Sequence, residues 1–117
     1  MQKFPDDWTL RDRIEFLQRK IILNSVVYYE YDTNFLSDKF YDSICRQLVT
    51  LQHEYGNVID TQYGYAFCDF DGSTGFDLYF RLNDRDRNYL LNMVKRQVYG
   101  LRGDKDDGRN NKKRKQK

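Results

Sequence analysis

The chain has 117 residues, 39% of them hydrophobic and 16% aromatic, with a formal net charge of +2. That length suits one small domain with a modest core. No apolar run approaches the roughly 18 residues of a membrane span, and the start M-Q-K-F-P-D-D-W lacks the apolar stretch of a signal peptide. Cys45 and Cys68 stand apart, which fits a reducing, cytoplasmic setting, and a lone His53 argues against a zinc site of His and Cys ligands.

Thr9 is placed to cap a first helix, with Asp12 three residues on completing a capping box. Leu10, Ile14, Leu17, Ile21 and Tyr28 then recur at helical spacing. Phe16, Leu23 and Val27 form a second apolar line, so this helix is expected to be covered on two sides. A short bend follows, and Ser37 can cap a second helix from about Asp38 to Tyr55. Phe40, Ile44, Leu48 and Leu51 mark its apolar stripe, and Gly56-Asn57 ends it. The short connection predicts two antiparallel neighbours.

From Tyr63 to Leu82 the pattern changes. Y-G-Y-A-F-C-D-F is short and aromatic, and F-D-L-Y-F-R-L alternates. Alternation would put Phe76, Leu78, Phe80 and Leu82 on one face of a strand. Asp71-Gly72-Ser73-Thr74-Gly75 between them reads as a turn. The expectation is a β-hairpin backed by helices. Asn83 or Asp84 caps a third helix whose inner face is Leu90, Met93, Val94, Gln97 and Val98. The predicted class is therefore α+β, a helical hairpin plus a β-hairpin and a third helix, with one domain over residues 1–101.

Charge divides the chain. From Arg102 onward, eight Lys and Arg against three Asp give +5, which leaves −3 on the residues before it. Residues 102–117 hold no apolar side chain and are expected to form a flexible basic tail. Lys112, Lys113, Arg114 and Lys115 are its candidate contacts to a nucleic-acid backbone.

The stretch Tyr28 to Asp42 concentrates chemistry. Asp38 and Asp42 are four apart on the second helix and share one side. Tyr28, Tyr29 and Tyr41 add phenol rings nearby. Carboxylates and aromatic faces together suit a flat, positively charged ring.

Read as Y-Y-x-x-D-x-x-x-x-S-D-x-x-Y-D, this stretch resembles the small N-terminal helical domain of NAD-dependent bacterial DNA ligases. That domain grips the nicotinamide mononucleotide (NMN) half of NAD. The resemblance covers about Leu10 to Leu51. It implies binding roles for Tyr28, Tyr29, Asp38, Tyr41 and Asp42, with NAD or NMN as ligand. Two departures stand out: Tyr29 sits where some members carry His, and Asn34-Phe35 replaces the usual turn proline. The implied function is a non-catalytic nicotinamide-nucleotide-binding module.

Two further motifs resemble catalytic ones. C-D-F-D-G-S is similar to the nucleophile motif of haloacid-dehalogenase phosphotransferases, with Asp69 and Asp71 in the two acidic roles. That chemistry needs a parallel sheet and a magnesium site, whereas one helix and no strand pattern follow. Lys105-Asp106-Asp107-Gly108 spells the adenylated-lysine motif of DNA ligases, with no nucleotidyltransferase sequence after it. The first reads as a hairpin turn and the second as a coincidence, and no enzyme activity is expected.

An alternative rests on size and aromatic content. Tyr29, Tyr31, Phe35, Tyr65, Phe70 and Tyr79 cannot all be buried in one small core, and exposed Tyr and Phe are common interface anchors. A small phage or mobile-element protein that binds and inhibits a host defence protein would fit. Tyr31, Phe35, Asp69, Phe70, Asp71 and Phe76 are its candidate contacts.

Overall fold

A computed structural model describes residues 2–34, 36–72 and 77–101, with backbone alone for 97–101. It comprises α1 (Leu10–Tyr31), α2 (Asp38–Tyr55), a 3-10 turn (Val58–Asp60), α3 (Gly64–Phe67), α4 (Leu78–Arg81) and α5 (Asp84–Leu101). The chain divides into two compact units, the second beginning at Asp84. No described helix is long and apolar enough to cross a membrane.

Local chemistry accounts for the ends of the two long helices. The Thr9 hydroxyl accepts from the Asp12 N–H at 3.1 Å, and the Asp12 carboxylate accepts from the Thr9 N–H at 3.1 Å. Both bonds satisfy donors that a helix start leaves open. Asp32 ends α1 in the left-handed region, φ 54°, a conformation Asp tolerates better than most residues. The Ser37 hydroxyl caps α2 by accepting from the Phe40 N–H at 3.2 Å. Gly56 closes α2 at φ 84°, where a side chain would be strained.

The core sits where α1 meets α2 and the later segment. Ile14, Leu17, Ile21, Ile22 and Val26 of α1 are wholly buried, as are Ile44 and Leu48 of α2. α1 lies against α2 and against α4, so it is covered on two sides. The buried line of α2 is Tyr41, Ile44, Cys45, Leu48 and Gln52. Phe40 and Leu51, expected on that line, are half-buried at its edge. The N-terminal segment closes the other side. Phe4, Trp8 and Phe16 meet with centroids 5.5–6.0 Å apart, and the Lys20 ammonium lies 5.3 Å from Phe16 and 5.4 Å from Phe40.

The expected α+β class does not hold. Among the described residues there is no strand, and Tyr63–Leu82, expected as a β-hairpin, holds two four-residue helices instead. Burial shows why. Tyr63, Ala66 and Phe67 are buried, and Phe70 is half-buried, which is a spacing of three and four rather than two. Leu78 and Leu82, four apart, are buried, yet Phe80 between them is 62% exposed. A strand would have put all three on one face. The backbone is satisfied by local turns: Ala66 N–H donates to the Tyr63 carbonyl at 2.9 Å and Phe80 N–H to the Asp77 carbonyl at 3.0 Å.

A buried polar network holds this segment to the helix pair. Gln18 Nε2 donates to Gln52 Oε1 at 3.1 Å and to Thr61 Oγ1 at 2.9 Å. Gln18 Oε1 accepts from the Tyr63 N–H at 3.3 Å, and Gln52 Nε2 donates to the Phe67 carbonyl at 3.4 Å. Every member is bonded, so the network directs the chain's path without orphaned polar atoms. Glycine is required at position 64, because a β-carbon there would lie 2.0 Å from the Val58 carbonyl oxygen.

Candidate functional site

The corner between α1 and α2 is set by one buried amide. Asn24 sits inside α1, 1% exposed. Its Nδ2 donates to Asn34 Oδ1 at 3.2 Å, and its Oδ1 accepts from the Leu36 N–H at 3.4 Å. These bonds fix the connection that carries the chain from Tyr29 to Asp38.

Around this corner the predicted ligand-binding residues take different positions. Tyr28 and Tyr29 leave the last turn of α1 with 39% and 41% exposure, their rings edge to face at 5.1 Å. Tyr28, expected to continue the apolar stripe, is thus on the surface. Asp38 and Asp42 are exposed on the first turns of α2. Asp38 also lies in the first turn, where the helix dipole favours a negative charge. Tyr41 is different, with its ring in the core at 5% exposure. Cys45, one turn further along α2, is buried as well. Burial pushes the Cys45 thiol up to about 11 against an ordinary 9.0, with the neighbouring Tyr41 hydroxyl opposing the shift.

The corner is also acidic. Between Tyr28 and Asp42, Glu30, Asp32, Asp38 and Asp42 oppose Lys39 alone, and all five are exposed.

Two residues at this surface were not expected there. Tyr79 of α4 stacks on Tyr29, with ring centroids 5.6 Å apart and planes 24° apart. Phe80 meets the Tyr29 ring edge to face at 4.7 Å, and the Tyr79 hydroxyl donates to the Glu30 carboxylate. Alternation had placed Phe80 on the same strand face as Leu78 and Leu82. The adjacent pair Tyr79-Phe80, flanked by Leu78 and Leu82 at helical spacing, was the available signal.

The candidate partner contacts are scattered. Tyr31 and Phe70 are half-buried, and Phe70 packs edge to face on Phe67 at 5.1 Å. Asp69 and Asp71 are exposed. Arg81 bonds the Asp69 carboxylate, lies 3.4 Å from Asp77 and donates to the Ala66 carbonyl at 3.3 Å. The Arg81 hydrogen bond and charge hold the Asp69 carboxyl below its ordinary value. Phe35, Phe76, the 73–75 part of the predicted turn, the Lys105–Gly108 motif and Lys112, Lys113, Arg114 and Lys115 lie outside the described residues.

Comparison with family models, curated proteins and solved structures returned no match to this chain.

Proposed function

We propose that this chain is a non-catalytic module that binds the nicotinamide half of NAD, or NMN itself, at the α1–α2 corner. One observation carries the reading. Exposed tyrosine rings end α1, and two exposed carboxylates one helical turn apart, Asp38 and Asp42, begin α2 after the short connection. A pyridinium ring is flat and positively charged, so it gains from both groups. The likeness to the ligase domain supports the same ligand.

Each residue has a distinct part. Asp38 and Asp42 offset the ring charge, and Tyr28 and Tyr29 offer aromatic surface. Tyr41 has its ring in the core and offers little surface to a ligand. Asn24 holds the connection between the two helices in place.

Isothermal titration with NMN, NAD and AMP tests the proposal. NMN and NAD should bind and AMP should not. Asp42→Ala should weaken NMN binding by about 10-fold or more, the usual consequence of losing one charged partner. Absence of heat with either nicotinamide ligand at millimolar concentration contradicts it.

A further inference from the structure

We infer that α4 supplies an additional wall of this site, with the Phe80 ring stacking on the pyridinium and Glu30 acting as a further counter-charge. The inference rests on the nicotinamide reading and goes beyond it, because the ligase likeness ends near Leu51 and says nothing of α4. Tyr29 connects the two parts: it belongs to the corner, and its ring contacts both Tyr79 and Phe80.

The geometry argues for a cationic, flat occupant. Phe80 is a large apolar ring left 62% exposed, although Leu78 and Leu82 on either side are buried. The fold gains little from Phe at that position. Phe80 is also held in place, meeting Tyr29 at 4.7 Å and Tyr79 at 5.2 Å. A rigid ring loses little freedom when a ligand stacks on it. Tyr79 in turn bonds Glu30, which keeps a carboxylate beside the cluster. The neighbouring cation is Arg81, which is occupied by Asp69 and Asp77. Aromatic faces beside an anionic group attract organic cations, and a pyridinium adds a flat surface that stacks.

The test compares NMN binding to wild type, Phe80→Ala and Phe80→Trp by titration, alongside nuclear Overhauser contacts between nicotinamide ring protons and the Phe80 ring. Circular dichroism should be unchanged in both variants, because Phe80 is exposed. Phe80→Ala should weaken binding by about 2- to 30-fold, the range of one cation–π contact, and Phe80→Trp should retain it. Direct contacts from the nicotinamide ring to Phe80 should appear in wild type. If wild type binds NMN but Phe80→Ala binds equally well, or no contact to Phe80 appears, α4 is no part of the site. If wild type binds no nicotinamide ligand, the reading of the whole corner falls and this inference with it.

Discussion

The α1–α2 pair and the 57–83 segment are built by different means. The long helices satisfy their own backbones, and their sequences state their limits: Thr9 with Asp12, Ser37 and Gly56 are local signals with local effects. The later segment has helices of four residues, too short to be stable alone. Its path is set from a distance, by Gln18 and Gln52 and by the close approach of Gly64 to Val58. A helix with its own caps and period can be read from its residues. A turn held by a glutamine 43 positions away cannot.

Gln18→Leu should break this difference most strongly. The substitution keeps the volume but removes the acceptor of the Tyr63 N–H and the donor to Gln52 Oε1. At about 1–3 kcal/mol for each of these two buried groups deprived of its bond, the loss should be about 2–6 kcal/mol in urea unfolding. Hydrogen exchange should show residues 57–83 losing protection while α1 and α2 keep theirs. Equal loss of protection in both regions would mean the network does not separate them.

A smaller effect sharpens the same contrast through the two cysteines. Cys45 in α2 is buried and Cys68 after α3 is exposed. A thiol reagent should label Cys68 at once and Cys45 only on unfolding. Because the Cys45 thiol is raised to about 11 in the folded chain from 9.0, its contribution to stability is complete below pH 9. It should fade as pH rises through 11, by about 1–3 kcal/mol. Cys45→Ala should flatten that part of the alkaline profile, and an unchanged profile would contradict the burial account.

The sequence was legible where a residue acts on its own helix. The limits of α2 and the capping box at Thr9 followed from side chains next to the backbone groups they satisfy. The segment after Gly56 misled because F-D-L-Y-F-R-L carries two periods at once: Leu78 and Leu82 fit both a strand and a helix, and only the exposure of Phe80 separates them. The corner was legible in part. Asp38 and Asp42 are surface carboxylates one turn apart, as their spacing requires. The burial of Tyr41 was hidden, because the buried line of α2 runs through Tyr41, Cys45 and Gln52 rather than through Phe40 and Leu51. The part played by Tyr79 and Phe80 depends on α4 lying against α1, which no local pattern contains.

The central claim is that the corner recognises a flat ring by its positive charge. Titration with NMN and with its reduced form tests this most directly, since reduction removes the ring charge and keeps the ribose phosphate. The account predicts that the oxidised form binds about 10-fold or more tightly than the reduced form. Equal affinity for the two forms would contradict it.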